Sequence, residues 1–247
     1  MGFFLKEKKR ILIFGSNTQG RHGKGVALVA VRKYGAIYGQ AKGLQGRSYG
    51  IVTKELRREH RSISLRDIEK QLPALFDLAE TKPHWEFILT PIGCGLAGFT
   101  PAEVAPLFKD VPENIIVPSI FSKLNNGQKL TLLICGDRLW SNQFAIRREL
   151  RNLEHLVGTV IHGACKGADS IGARLARDEF GLKVIPFPAD WKTLGKAAGP
   201  IRNQQMLDNG KPDIVHAFHT DIDVSKGTKD MVERSLSHYI LTYVFRN

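Results

Sequence analysis

Short clusters of glycine standing directly behind apolar runs constrain this chain more than any other feature of its sequence. Glycine at the end of a buried strand lets the main chain turn sharply and enter a helix, so chains punctuated this way alternate strand and helix. Residues 11–14, Ile-Leu-Ile-Phe, read as a buried strand, followed by a glycine-bearing loop over 15–25 and a helix over 26–34. A second strand is expected over 48–52. Ser64-Leu65-Arg66-Asp67 has the form of a capping box, and Leu65, Ile68, Leu72, Leu75, Phe76 and Leu78 follow at helical spacing. These residues predict one helix, kinked at Pro73. Residues 87–92 form the next strand and run into Gly93-Cys94-Gly95-Leu96-Ala97-Gly98. Thr100-Pro101-Ala102-Glu103 is a strong helix start, with Thr as N-cap, Pro at the first position and Glu closing the box. Residues 115–117 add one more strand.

The polar, breaker-rich stretch over 122–129 predicts a boundary, giving one domain over 1–122 and another over 129–247. Beyond it, strands are expected over 130–135, 159–162, 183–187, 214–218 and 240–245. Helices over 142–154, 168–180, 200–208 and 228–238 fall between them. Such alternation implies a parallel sheet covered by helices on both faces, so the fold class is α/β.

The remaining composition narrows the function. No apolar run approaches the roughly 20 residues that span a bilayer, and the opening MGFFLKEKKR lacks the pattern of a signal peptide. A cytoplasmic protein without a membrane partner is expected, with Phe3, Phe4, Lys6, Lys8, Lys9 and Arg10 read as an ordinary terminus. The three cysteines, Cys94, Cys135 and Cys165, form no C-x-x-C pair and read as reduced thiols. In His216-Ala217-Phe218-His219 strand alternation sends the two histidines to opposite faces, so no metal site is expected. The net charge of +12 invites an anionic ligand, and it is shared as +7 over 1–122 and +5 over 123–247. Its densest cluster, residues 54–61, is broken by Glu55 and Glu59 and reads as a solvated loop. No stripe of interleaved aromatic and basic residues appears, so the charge points to small nucleotides rather than nucleic acid. Glycine turns leading into helix N-termini attract phosphate in such sheets, and tight packing of the turns is the alternative reading.

Four separated motifs in the first half carry a family resemblance. They are Arg21-His22-Gly23-Lys24-Gly25-Val26-Ala27, Tyr34-Gly35, Ile51-Val52-Thr53-Lys54 and Pro91-Ile92-Gly93-Cys94-Gly95-Leu96. Together they resemble an ADP-ribose-binding macrodomain, a three-layer α/β/α fold, of the branch that includes the terminal ADP-ribose protein glycohydrolase. The resemblance implies that His22, Gly23, Gly25, Val26, Gly93, Cys94, Gly95, Leu96 and Gly98 enclose a diphosphate and ribose, with Asn17 near the ribose. It also places Lys54 where that branch has a nucleophilic lysine, a phosphate contact being the other reading. Ala97 stands where the branch has a carboxylate, and alanine can neither transfer a proton nor steady an oxocarbenium-like centre.

In the second half, Gly136-Asp137-Arg138, residues 162–169 (HGACKGAD), Asp190-Trp191, residues 195–203 (GKAAGPIRN) and Gly227-Thr228 follow one another. They resemble the YspA-like branch of the SLOG superfamily, Rossmann-like domains related to the Lonely Guy phosphoribohydrolases. The turn over Gly163, Lys166, Gly167 and Asp169 and that at Gly227 and Thr228 are expected to cradle phosphate, and Gly136, Arg138 and His162 to join the ligand site. Lys196, Gly199, Arg202 and Asn203 are expected to add donors, and Asp169 and Asp190 to accept from ribose hydroxyls. Asp169 serving its own helix N-terminus, and Trp191 as a core aromatic rather than a base-stacking one, are the alternatives. Met231 takes the place of the Lonely Guy glutamate. The two resemblances imply an ADP-ribose-containing or other NAD-derived nucleotide as ligand, with no cofactor required. Hydrolysis, or nucleotide sensing and sequestration of the kind SLOG domains perform in bacterial and phage defence, are the competing activities. Domains of this kind often pair, so a homo-oligomer is also open.

Overall fold

In the computed structural model, which describes residues 8–57 and 60–246, the chain falls into two units, Met1–Asn125 and Asn126–Asn247. Phe3, Phe4 and Lys6, and Arg58 and Glu59 of the basic cluster, lie outside the described residues.

The first unit is built around β1 (Lys9–Asn17), whose Ile11, Leu12, Ile13 and Phe14 are all fully buried. Four buried residues in succession require cover on both faces, as in parallel sheets. β1 lies between β3 (Ser48–Lys54) and β4 (Trp85–Leu89), parallel to both. β5 (Ile115–Ile116) pairs parallel beyond β4, and β2 (Gly43–Gln45) pairs antiparallel beyond β3, giving the order β2-β3-β1-β4-β5. Helix α1 (Gly25–Tyr34) stops at Gly35, whose φ of 72° is the left-handed conformation that ends helices.

Three elements here differ from expectation. Ser64 does accept the Asp67 N–H at 3.1 Å, but the expected kinked helix is two helices, α2 (Leu65–Glu69) and α3 (Leu72–Glu80). Pro73 offers no N–H and its ring would meet the carbonyl of Glu69, so the chain restarts one residue ahead of it. The capping box at Thr100 is complete, yet α4 (Pro101–Val104) makes one turn before tightening into a 3₁₀ turn at Ala105–Phe108, where Pro106 again lacks the N–H an α-helix needs. α5 (Ser119–Asn125) occupies half of the stretch expected to be a linker. Its anchor is apolar: Ile120 and Phe121 are buried, and Phe121 stacks on Phe108 with 5.8 Å between ring centres.

The second unit alternates strand and helix, with two helices after its third strand: β6 (Leu130–Gly136), α6 (Gln143–Leu153), β7 (Val157–His162), α7 (Ala168–Asp178), β8 (Lys183–Pro186), α8 (Trp191–Leu194), α9 (Ala198–Asp208), β9 (Ile214–Phe218), α10 (Lys226–Ser237) and β10 (Leu241–Phe245). All pairs are parallel and the order is β10-β9-β6-β7-β8. The chain thus builds outward from β6 to β8, returns to the other side of β6 and builds outward again, the doubly wound Rossmann-like arrangement. Leu133 and Cys135 pack with Met206, Leu207 and Met231 of α9 and α10, while Ile134 lies against Gly172 of α7 on the other face. That alternation makes the sheet the middle of three layers. Burial of side chains such as Met206 and Met231, each 1% exposed, contributes about 1.5–3 kcal/mol apiece.

Two helix starts in this unit fall earlier than expected. α9 begins at Ala198, so Pro200 is its third residue, where a missing N–H costs nothing. α10 begins at Lys226, which puts Gly227 and Thr228 in its first turn rather than in a preceding loop. Among the described residues no helix is long and apolar enough to cross a membrane.

Candidate functional site

In a doubly wound sheet the crevice forms where the strand order reverses, outside the carboxyl ends of the strands. Here that point lies between β6 and β9, whose ladder pairs Gly136 with Phe218. A cavity of about 290 Å³ opens there. Cys135, Gly136, Asp137 and Arg138 line it from β6, and His219, Ser225, Gly227, Thr228 and Met231 from β9 and α10. Arg202, Asn203 and Met206 of α9, with Cys165 and Asp169 after β7, complete the wall.

The first turn of α10 is the chemically distinctive part. Ser225 accepts the Thr228 N–H at 3.1 Å, while the N–H groups before it lack intrahelical partners, as in any helix start. A Cβ at Gly227 would meet nothing within 4 Å, so its main chain faces open space. The other glycines answer to packing. A Cβ at Gly136 would overlap the Phe218 carbonyl and Ala168, one at Gly163 the Arg202 guanidinium, and one at Gly167, with φ 74°, the backbone of Asp137 and Arg138. Those three glycines let the loops close on one another, as the tight-packing alternative has it, and Gly136 also lines the cavity.

A buried polar network braces the loops. Asp169 is 3% exposed, and its carboxylate accepts the N–H groups of Gly163 at 2.8 Å and Cys165 at 3.4 Å. Burial pushes it up to about 6, against the opposing pull of Arg202 and of N–H donors at Cys165, Gly163 and Gly136. Asp169 thus holds loop main chain through Oδ2 while standing in the first turn of α7. Arg202, 9% exposed, donates to the Gly163 carbonyl and to Asn203 Oδ1 at 3.1 Å. Asn203 donates to the Gly227 carbonyl at 3.1 Å and to Asp230 at 2.9 Å, and Arg234 holds Asp230 at 2.8 Å. The network thus fixes the first turn of α10 relative to the turn after β7.

Of the residues expected at this site, Gly136, Arg138, Asp169, Arg202, Asn203, Gly227 and Thr228 line the cavity, and the rest do not. His162 is buried, with Nδ1 accepting the Ala164 N–H at 3.2 Å, and burial holds it below its ordinary value. Lys166 and Lys196 are exposed outside the lining. Asp190 caps α8, accepting the Thr193 N–H at 3.0 Å, a bond that lowers its pKa. Trp191 is 49% exposed, which removes the core reading; its ring lies 6.0 Å from the guanidinium of Arg138, and a Cβ at Gly199 would lie 3.3 Å from it. Sequence reasoning missed Cys135, Asp137, Cys165, Met206, His219 and Ser225 as wall residues. Ser225, three residues before Thr228, carried a readable capping signal.

In the first unit the ends of β1, β3 and β4 converge: a Cβ at Gly15 would lie 3.2 Å from Thr53 and 3.6 Å from the Gly93 nitrogen. Lys54 ends β3, partly exposed, opposite Asn17. Asn17 folds its own turn, accepting the N–H groups of Gln19 and Arg21 at 3.1 Å and donating to the Arg21 carbonyl at 2.7 Å. His22 is 2% exposed, bonded to Ser16 at 2.9 Å and lowered by burial, and Cys94 is 1% exposed with its thiol pushed up by burial. Both side chains are interior groups. Gly23, Gly25 and Gly95 have open space where a Cβ would stand, Val26 follows in the first turn of α1, and Leu96 is 64% exposed. Gly93 and Gly98 have φ of 74° and 81°, and Gly98 lies under His60. A separate open groove of about 580 Å³ lies at the amino ends of β4 and β5, lined by Glu80, Glu86 and Glu113 among others. Among the described residues no group of three His, Cys, Asp or Glu is placed to hold a metal ion.

Residues 130–193, from β6 into α8, match the YspA, cpYpsA-related SLOG family. The match does not extend to the macrodomain resemblance of the first unit. The chain is also 37% identical over 95 residues to the gene 61 protein of Mycobacterium phage D29, covering 35% of this chain and 74% of that protein. The chain therefore belongs to the family of the D29 gene 61 protein, and its second unit carries a YspA-like SLOG domain.

Proposed function

We propose that the second unit binds a nucleotide by its phosphate in the crevice between β6 and β9, and that the ligand class is ADP-ribose-containing or other NAD-derived nucleotides. The observation that carries this reading is the first turn of α10, with Gly227 bare, opening onto a cavity at the strand-order reversal. A SLOG domain fits a nucleotide-related ligand, and Arg138 beside Trp191 supplies a cation and an aromatic face at the edge of the crevice for a base. The first unit, by its macrodomain resemblance, adds a second ADP-ribose site among Gly23, Gly25, Gly95 and Leu96. The +12 charge suits both.

Binding without hydrolysis is the favoured activity of the second unit. Met231, in the place of a catalytic glutamate, is 1% exposed, and the wall carboxylates Asp137 and Asp169 accept main-chain N–H groups. In the first unit, Ala97 leaves Lys54 without the carboxylate that lysine attack on a glycosidic carbon requires. A relative encoded by a phage accords with sensing or sequestering a nucleotide signal in phage and bacterial conflict.

A panel of NAD, ADP-ribose, cyclic ADP-ribose and nucleoside monophosphates tests the reading. A ligand at 100 times its Kd is expected to stabilise its unit by about 2.7 kcal/mol, with every substrate peak unchanged on chromatography. Absence of any thermal shift across the panel rejects nucleotide binding. Product formation rejects binding without hydrolysis, and its loss in Lys54→Ala would assign the chemistry to the first unit.

A further inference from the structure

His216 lies within β9 and His219 one residue beyond its end, so alternation sends their side chains to opposite faces. His216 joins the aromatic cluster of Phe218, Tyr243 and Phe245. His219 goes to the crevice, where it is 8% exposed and lines the cavity, its main-chain N–H donating to the Phe245 carbonyl at 3.0 Å. One further bond orients the ring: Asp221 donates its N–H to His219 Nδ1 at 3.1 Å. A ring nitrogen that accepts a hydrogen bond carries no proton, so the neutral imidazole has its proton on Nε2 and that nitrogen is a donor. Nε2 meets no hydrogen-bond partner among the described residues. It is not sealed in the interior either, since His22 Nδ1 is the one described side-chain atom in that condition. Nε2 therefore opens on the cavity, a donor on a residue more than nine-tenths buried.

The same loop fixes that donor relative to α10. Asp221 Oδ1 accepts the Asp223 N–H, Ser225 donates its own N–H to the Ile222 carbonyl, and Ser225 Oγ accepts the Thr228 N–H, each at 3.1 Å. His219, Ser225, Gly227 and Thr228 consequently share one side of the cavity. Arg138 and Arg202 in the lining offset Asp137 and Asp169, so the directed N–H groups decide what binds there.

We propose that His219 is a ligand-binding residue: its Nε2–H and the N–H groups opening α10 form a subsite for one phosphate group, with Nε2 donating to a phosphate oxygen. The proposal rests on the nucleotide reading above for the ligand to be a nucleotide; the phosphate subsite does not need it. The test uses the full chain labelled with nitrogen-15, with inorganic phosphate and ADP-ribose as separate probes. Proton–nitrogen spectra of the imidazole are expected to show the proton on Nε2, and saturable movement of Nε2 and of the Gly227 amide as either probe is added. Nε2 unmoved by both probes overturns the proposal, and this readout needs no substitution to fold.

Calorimetry with ADP-ribose separates the two ring nitrogens. His219→Asn keeps an acceptor for the Asp221 N–H and removes the donor toward the cavity, whereas His219→Phe removes both. Each is expected to bind about tenfold or more weakly. Full affinity in His219→Asn beside loss in His219→Phe makes the ring an anchor for Asp221 alone and overturns the proposal. Movement of Nε2 by phosphate in a protein that never binds ADP-ribose supports the subsite and refutes the nucleotide reading alone. ADP-ribose binding that leaves Nε2 unmoved refutes the subsite and leaves the nucleotide reading standing.

Discussion

Gly167 and Gly227 come from the same kind of sequence signal and meet opposite surroundings. At Gly167 the φ of 74° and the neighbouring backbone of Asp137 and Arg138 exclude a side chain, so Gly167→Ala is expected to cost about 1–3 kcal/mol in a urea titration. Gly227 sits in a helix with open space beside it, so Gly227→Ala is expected to raise stability by up to about 1 kcal/mol. The same methyl enters the crevice, and calorimetry is expected to show weaker nucleotide binding. Such a difference is invisible locally, because it depends on which loop folds over which. Asp169 carries a second prediction. Its pKa, about 6 when folded, exceeds the unfolded carboxyl value, so the folded state keeps a proton that the unfolded chain releases between about pH 4 and 6. The resulting stability is present below about pH 4 and lost as the pH rises through about 6. Relative to Asp169→Asn, the protein is expected to lose on the order of 2 kcal/mol between pH 4 and 7 in urea titrations; an unchanged difference would contradict the burial of this carboxyl.

Helix α10 shows how one element's start sets the site. Its cap, Ser225, holds the Thr228 N–H, so Ser225→Ala is expected to cost about 1 kcal/mol and to weaken nucleotide binding as the first turn frays, measured by urea midpoint and calorimetry. Elements with a long periodic signal were legible: the apolar runs of β6 and β9 and the stripes of α6 and α7 stand within a few residues of their expected places. Those that failed were short or overridden. β2 has three residues and Leu44 largely outward, which leaves no alternation to read. Pro73 and Pro106 each ended α-helical pairing where a kink or a continuous helix was expected. α5 hides behind polar residues because only Ile120 and Phe121 anchor it. The site followed the same rule, since HGACKGAD marks a turn but cannot say that Lys166 points away while Cys165 joins the wall.

Across the whole molecule, strand and helix alternation made the α/β class readable, but the placement of β9 beside β6 rests on pairs such as Leu132 with Ile214, distant in sequence. That placement creates the crevice. It also buries His216 among Phe218, Tyr243 and Phe245, where burial holds its pKa down to about 3. A histidine kept neutral in the fold contributes stability that is complete above about pH 6.5 and lost as the pH falls. Relative to His216→Phe, the protein is expected to lose on the order of 2 kcal/mol between pH 7.5 and 5; a difference independent of pH would contradict this. The +12 charge takes its meaning at the same scale, distributed over both units and available to phosphate in each. The central claim is that nucleotide phosphate sits at the start of α10, and amide chemical-shift mapping of the full chain during an ADP-ribose titration tests it most directly. The largest shifts are expected at Asp137, Arg138, Gly227 and Thr228; saturable binding that leaves those four amides unmoved would contradict it.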